Sequence, residues 1–309
     1  AIATGAPLPA GADCLIRTED VTVEGDTVFI PRAFHAGENV CPAGEDMRAG
    51  TQVLTAGTRL GAVEIAVLAS LGFADVTVYR LPRIAIAATG DELLTPGEQL
   101  RPGRIYDSNL YYLASRLHEF GFEPIVLGRL SDEPSEAAVQ LAPCFDDSGD
   151  AIERANLVLT TGGVSVGPRD VMHGARQALG AREVFWRVAM KPGAPVLAYE
   201  KSGTLGIALS GNPFAACATF ELLVRPVLAK LAARPDLVLQ EGRAMLVDDF
   251  PKASRGRRFL RARLADGRVH LPAMHASGAL SSAIGCNAFV DISAGSGALA
   301  AGTDVRIWK

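Results

Sequence analysis

Apolar runs of strand length alternate with helical segments between residues 81 and 234, and this alternation constrains the fold more than any other feature. Strands that alternate with helices form right-handed βαβ units around a mostly parallel sheet. The pattern therefore predicts an α/β domain over residues 81–234. The predicted strands are residues 83–89, 123–130, 156–160, 182–190, 195–200 and 204–210, and the predicted helices are residues 108–121, 133–142, 168–179 and 213–233.

The segments on either side of this domain have different patterns. Residues 1–48 predict a partial domain rich in strands and turns, with a hairpin at Glu24-Gly25-Asp26. Residues 49–80 predict a connecting segment of the N-terminal domain, with a helix over 62–71. Alternating runs after Pro235 predict a small all-β domain, a barrel or a sandwich, over residues 235–309. The fold class is therefore multi-domain, α/β plus β.

Composition excludes some classes of function. The chain has 309 residues and a net charge of -4, which argues against binding nucleic acid by phosphate neutralisation. No apolar run reaches membrane-spanning length, so we expect no transmembrane segment. The five scattered cysteines include no CxxC pair, which indicates the reducing cytoplasm. The opening residues read like the middle of a domain, and we expect the chain to begin downstream of its natural start.

Five of the predicted strands lead into turns that contain glycine, a carboxylate or a lysine. Ligands of open α/β sheets bind at the carboxyl ends of the strands. Glycines allow backbone N–H groups to approach an anion, and carboxylates beside a phosphate indicate a bridging Mg²⁺. The sequence therefore predicts a site for a phosphate-bearing ligand with Mg²⁺. The turns are GDEL (90–93), SDEP (131–134), TGGVSVGPRD (161–170), KPGAP (191–195) and GNP (211–213).

Most of these polar residues also have a plain structural interpretation. Asp132 and Asn212 stand where a helix N-cap is expected, and Asp170 lies in the first turn of a helix, where an acid complements the dipole. Glu92 fits a solvated loop acid, and Lys191 fits a surface lysine. Both interpretations stay open at this stage.

Several motifs together resemble the molybdopterin molybdenumtransferase family, which includes MoeA and the E domain of gephyrin. They are TGAPLPAGAD, GENVCPAGEDMRAG, ATGDEL, GRIYDSN, TGGVSVGPRD, MKPGAP and SGNP. The resemblance implies a central α/β domain like that of MoaB and MogA, a C-terminal β-barrel and a homodimer. It also implies insertion of molybdate into adenylated molybdopterin, with Mg²⁺ and release of AMP. The implied partners are the molybdopterin adenylyltransferase and acceptor molybdoenzymes.

The resemblance also implies roles for individual residues. The catalytic residues would be Glu92, Asp132, Asp170, Lys191 and Asp46, and the first three would hold the metal. Arg261 and Ser282 would help to hold molybdate. The residues expected to bind the pterin substrate are Thr89, Gly90, Asp91, Asn109, Gly162, Gly163, Ser165, Gly167, Pro192, Gly193, Gly211, Asn212 and Pro213.

The sequence departs from the family pattern at four positions. Ala194 replaces the second lysine of KPGK, Ser210 the proline of PGNP, Ala215 a serine and Cys41 an arginine. The lost lysine weakens oxyanion binding, because molybdate carries two negative charges. A paralogue that binds the pterin without catalysis is therefore the main alternative. A molybdopterin adenylyltransferase is a weaker one, because the GED segment and the C-terminal β domain belong to the insertase architecture.

Overall fold

The computed structural model describes residues 1–146, 154–165 and 170–309. The chain divides into two compact units, Ala1–Val76 and Thr77–Lys309, and each is described by itself. None of the helices in these described ranges is both long and apolar enough to cross a bilayer.

The first unit contains a hairpin and a helix. Strands β1 (Thr22–Glu24) and β2 (Thr27–Phe29) pair antiparallel, which confirms the predicted hairpin. Regular β-structure in residues 1–48 is limited to this hairpin, less than predicted, because many glycines and prolines interrupt the segment. Helix α1 (Ala62–Ser70) begins where the Glu64 carboxylate accepts the N–H of Gly61 at 2.9 Å.

The second unit is built on a six-stranded sheet. Its strand order is β6-β3-β7-β11-β10-β8, in which the first four strands are parallel and β10 runs antiparallel to both of its neighbours. The predicted, mostly parallel sheet is thus confirmed. The strands of this unit that precede the barrel are β3 (Ile84–Thr89), β4 (Leu93–Leu94), β5 (Ile105–Tyr106), β6 (Ile125–Leu130), β7 (Leu157–Thr161), β8 (Arg182–Trp186), β9 (Met190–Lys191), β10 (Leu197–Lys201) and β11 (Thr204–Leu209).

Helices cover both faces of this sheet, and an apolar core lies under each layer. One core contains Leu141, Val171 and Met172, and the other contains Leu113, Leu117 and Phe220. Strand β3 is completely buried between the two layers, as expected for a central parallel strand. The helices are α2 (Asn109–Glu119), α3 (Pro134–Leu141), α4 (Val171–Ala178), α5 (Pro213–Thr219) and α6 (Arg225–Leu231).

Two predicted elements are wrong in detail. The single strand over 182–190 is two strands, because Arg187 adopts a left-handed φ of 70° and breaks the run after β8. The single helix over 213–233 contains a π-helical turn, Phe220–Val224, between α5 and α6. Pro226 has no N–H to donate to the preceding turn, and the wider turn accommodates that missing bond.

The C-terminal segment forms a closed five-stranded barrel, as predicted. Strand β14 pairs with both β12 and β13, which closes the ring. The turn before β14 is Asp266-Gly267, and both residues have positive φ. Strand β9 adds to the outside of β13 and joins the barrel to the α/β domain. The barrel strands are β12 (Glu241–Leu246), β13 (Arg257–Ala265), β14 (Arg268–His270), β15 (Ala288–Ile292) and β16 (Asp304–Trp308), of which β16 escaped the sequence analysis.

A buried carboxylate joins α2 to the π-helical turn. The Glu221 carboxylate accepts hydrogen bonds from Tyr112 Oη at 2.8 Å, Arg116 Nε at 2.7 Å and Arg225 Nη1 at 2.7 Å. Burial alone would raise the pKa of Glu221, but the two guanidinium groups and the tyrosine hydroxyl hold that pKa below its usual range. The carboxylate therefore stays charged and stabilises the contact between the two helices.

Replacing this carboxylate by an amide should destabilise the protein. We expect Glu221→Gln to lower the free energy of unfolding by about 3 kcal/mol near neutral pH, because the partly buried guanidinium groups of Arg116 and Arg225 lose their charged partner. Since the pKa of Glu221 is lowered in the folded state, its contribution is present above the unfolded-state pKa and is lost as pH falls through the folded-state pKa. Urea unfolding at neutral and acidic pH measures both effects.

Glu119→Gln provides the matched control, because Glu119 pairs with the same Arg116 and its side chain is 59% exposed. Its cost should stay below about 1 kcal/mol. Equal losses of stability in the two variants would contradict the assigned role of Glu221.

Candidate active site

The carboxyl ends of β3, β6, β7, β8 and β11 meet at one edge of the sheet. The turns that follow β3, β6, β7 and β11, together with the segment after β9, enclose a cleft of about 940 Å³. This cleft is lined by most of the residues that the sequence analysis proposed for the site. The predicted phosphate-binding turns therefore lie together. These lining residues are Thr89, Gly90, Glu92, Asn109, Asp132, Gly162, Gly163, Ser165, Asp170, Lys191, Pro192, Gly193, Gly211, Asn212 and Pro213.

The glycines of the turn after β7 allow close backbone approach. Gly162 has a φ of +87°, and a Cβ atom there would lie 2.6 Å from both the carbonyl oxygen and the Oγ1 of Thr89. Its N–H donates to the carbonyl of Leu209 at 3.0 Å. Gly162 therefore ties β3, β7 and β11 together, and its own N–H is already engaged. Gly167 of the same turn lies outside the described residues.

Four carboxylates line the cleft, and Lys191 is the one cationic side chain among its described lining residues. Ala194 also lines it, at the position where the family pattern has a second lysine. Asp132 Oδ2 accepts the N–H of Asp91 at 2.8 Å, whereas the residue at the α3 N-cap is Glu133. The N-cap interpretation of Asp132 is therefore wrong. Asp91 itself supplies a backbone donor from outside the cleft. The four carboxylates belong to Glu92, Asp107, Asp132 and Asp170.

Asp170 stands at the start of α4 without capping it. Its Oδ1 atom is buried and has no hydrogen-bond partner within the described ranges. Burial raises the pKa of Asp170, and the nearby His173 opposes that rise. An unpaired buried carboxylate oxygen is costly to retain, and it marks a place that a ligand or a cation can satisfy.

The helix that follows β11 has an unusual cap. Asn212 occupies the N-cap position of α5, yet its side chain makes no capping bond. Instead, the Ser277 carbonyl accepts the N–H groups of Phe214 at 2.9 Å and Ala215 at 3.3 Å. Ser277 belongs to a loop of the barrel and lines the cleft. The sequence analysis missed it because this contact is distant along the chain. Asp107 also lines the cleft, and its Oδ1 accepts the N–H groups of Asn109 at 2.9 Å and Leu110 at 3.0 Å at the start of α2, as expected of a helix N-cap aspartate.

Arg261 and Ser282 do not line the cleft. Arg261 is 1% exposed, its Nη2 donates to the carbonyls of Met274 at 2.9 Å and Ala276 at 3.0 Å, and its guanidinium lies 3.7 Å from the ring centroid of Phe214. It thereby holds the loop that carries Ser277. Its Nε and Nη1 have no partners in the part of the chain described, and burial lowers its pKa. Ser282 Oγ donates to the Ala279 carbonyl at 2.7 Å.

The described residues contain no ready-made cluster of three or more metal ligands. The cleft nevertheless fits Mg²⁺, which takes one or two carboxylates and completes its shell with substrate phosphates and water. The buried Asp170 oxygen and the carboxylates of Glu92 and Asp132 suit that pattern. Asp46 belongs to the first compact unit, and its predicted catalytic role stays a prediction.

Family models match three consecutive parts of the chain. The family described as "MoeA N-terminal region (domain I and II)" matches residues 1–72, "Probable molybdopterin binding domain" matches residues 85–230, and "MoeA C-terminal region (domain IV)" matches residues 243–309. Fold and site thus define a molybdopterin-related α/β protein with a C-terminal barrel.

Individual relatives identify the family within this class. The chain is 35% identical to the molybdopterin molybdenumtransferase of Bacillus subtilis, over 99% of this chain and 71% of the relative. It is 39% identical to the Nostoc protein of the same name, over 74% of this chain and 52% of the relative. The chain belongs to the molybdopterin molybdenumtransferase (MoeA) family.

Solved structures agree with this assignment. A molybdopterin biosynthesis MoeA protein from Pyrococcus horikosii superposes with a TM-score of 0.80 at 28% identity, covering 97% of this chain and 73% of that one. The chain spans 71% of the length of the Bacillus subtilis relative, and the expected truncated start stays a prediction.

Gly162→Ala tests the close packing beneath the cleft. We expect it to lower the free energy of unfolding by roughly 3 kcal/mol, because the new Cβ would clash with Thr89 and adopt a disfavoured φ. Gly121→Ala is the matched control, since Gly121 has a φ of +81° and open space around its Cβ position. It should cost about 1 kcal/mol. Thermal unfolding measures both, and equal costs would show that Thr89 does not constrain this turn.

Proposed function

We propose that this chain inserts molybdenum into adenylated molybdopterin and releases AMP, a step of molybdenum cofactor biosynthesis. Molybdenum cofactor biosynthesis and transferase activity follow from membership of the family. The observation that carries the finer proposal is the cleft itself, where glycine turns, four carboxylates and one lysine converge at the carboxyl edge of a parallel sheet. A phosphate-bearing pterin suits such a site.

The acids suit the phosphates of the adenylated substrate only when a cation stands between them. When bound, Mg²⁺ would supply charge neutralisation at the phosphate that leaves with AMP. Glu92, Asp132 and Asp170 would hold it, and the Asp91 N–H orients Asp132. Lys191 would contact the anionic substrate directly from the segment that joins the sheet to the barrel.

Molybdate is the second substrate in this proposal, and Arg261 supports its site. A buried guanidinium without a carboxylate partner favours a nearby anion. Arg261 Nε and Nη1 are buried without partners among the described residues, behind the cleft wall formed by α5 and Ser277. Ser282, as the resemblance implies, would add its hydroxyl to the molybdate site from the barrel segment that follows Ser277.

We infer a homodimer, and the exposed apolar residues Val63 and Ile65 of α1 support a covered surface there. The molybdopterin adenylyltransferase would deliver the substrate, and acceptor molybdoenzymes would receive the cofactor. A cytoplasmic location agrees with five cysteines that form no disulfide, all of them in described parts of the chain.

Release of AMP from adenylated molybdopterin tests the function directly. We expect release to require both molybdate and Mg²⁺, and we expect Asp170→Asn to lower kcat about a hundredfold, because it removes the charge that holds the cation. Asp266→Asn, in the exposed turn of the barrel, should leave the rate unchanged. Release that is independent of molybdate, or insensitive to Asp170→Asn, would overturn the proposal.

Ala194 favours the alternative of a pterin-binding paralogue without catalysis, because the cleft lacks a second lysine there. We expect Ala194→Lys to raise the turnover rate about tenfold if the missing cation limits oxyanion binding. Steady-state measurements at varied molybdate concentration separate KM from kcat. Tight pterin binding without release in both the parent chain and this variant would establish the carrier instead. If the parent chain is active and Ala194→Lys does not raise its turnover rate, another residue supplies the second positive charge.

A further inference from the structure

A second cavity, of about 770 Å³, lies on the barrel side of Lys191. Strand β13 and two barrel loops, residues 248–252 and 271–277, line it. It shares Lys191, Pro192 and Ser277 with the active-site cleft. The two spaces therefore adjoin through residues that are common to both. We call the second space the barrel cavity.

The barrel cavity is richer in positive charge than the cleft. Lys191, Lys252 and Arg258 line it, together with the half-buried imidazole of His275. Arg258 Nε and His275 Nδ1 are buried and lack hydrogen-bond partners within the described residues. Burial lowers the pKa of His275, and the charges of Arg261, Lys252 and Arg258 lower it further, as expected in positive surroundings.

The two acids of the barrel cavity are engaged by backbone groups. Asp248 Oδ2 accepts the N–H of Leu271 at 2.8 Å, and Asp249 Oδ1 accepts the N–H of Ala301 at 2.7 Å. Each bond fixes a loop at the cavity wall. The barrel cavity thus has three cationic side chains and two carboxylates that already accept backbone N–H groups. The cleft has one cationic side chain and four carboxylates.

This contrast matters for a substrate with two negative charges. A dianion is repelled by an acid-lined cleft and attracted to a neighbouring space where positive charge prevails. The Arg258 Nε–H without a partner is a donor to a tetrahedral oxyanion, and a neutral His275 ring can donate when Nδ1 carries its one N–H. The shared Lys191 and Ser277 give the anion a continuous polar path from one space to the other.

We propose that the barrel cavity is an anion subsite that takes a tetrahedral dianionic oxyanion through Lys252, Arg258 and His275. None of these three residues is among those that the resemblance implies for molybdate. The identity of the anion rests on the proposed function: either free molybdate waits here before it reaches the cleft, or the phosphate group of the adenylated substrate occupies the subsite. Both are tetrahedral oxyanions with the same requirement for donors.

Calorimetric titration of the whole chain with sodium molybdate, without pterin, tests the subsite. Lys252→Gln and Arg258→Gln should each weaken binding about tenfold or more, because each removes a charged partner of the anion. Lys252→Arg should restore binding to within about twofold of the parent, since it keeps the charge. Arg268→Gln, on the exposed outer face of the barrel, is the control and should change nothing.

Parallel titrations with AMP and with inorganic phosphate identify the source of the anion. A loss confined to molybdate identifies the free oxyanion, and a similar loss for AMP identifies the phosphate group. Unchanged binding of all three anions in both glutamine variants, with thermal unfolding unaltered, would overturn the proposal. Because the titration needs no turnover, a failure to release AMP would leave this result intact.

Discussion

Parallel hydrogen bonding of β6, β3, β7 and β11 is the constraint on which the site depends. Parallel strands place all their carboxyl ends at one edge, so turns that are far apart in sequence become neighbours. Gly162 shows how tightly this is enforced: a side chain there would collide with Thr89 on β3, while its N–H bonds to Leu209 on β11. The cleft is therefore a consequence of strand register.

The barrel completes the cleft through contacts with both the sheet and a helix end. Strand β9, which contains Lys191, pairs with β13, and the Ser277 carbonyl caps α5. Arg261 links these contacts, since it binds the loop that presents Ser277 and packs on Phe214 of α5. A buried arginine that binds carbonyl oxygens is expensive unless its remaining donors find an anion. The same residue therefore serves both the architecture and the proposed chemistry.

Much of the site could be predicted from sequence because its signals are local. Glycine, acid or lysine directly after an apolar run marks a strand end, and the βαβ pattern assigns those ends to one edge. Contacts between distant segments could not be predicted. Asp132 bonds to the Asp91 N–H rather than capping a helix, and Ser277 reaches the cleft only because the barrel folds back on α5. The separate strand β9 could not be predicted either, because it pairs with β13, which lies far along the chain.

The central claim is that the acid-lined cleft at the sheet edge is where molybdenum meets the pterin. Anomalous diffraction at the molybdenum edge, from crystals grown with adenylated molybdopterin, molybdate and Mg²⁺, tests it most directly. The account predicts a molybdenum peak between Lys191, Ser277 and the turn at Gly162. A well-occupied peak remote from these residues, with the cleft empty of pterin, would contradict it.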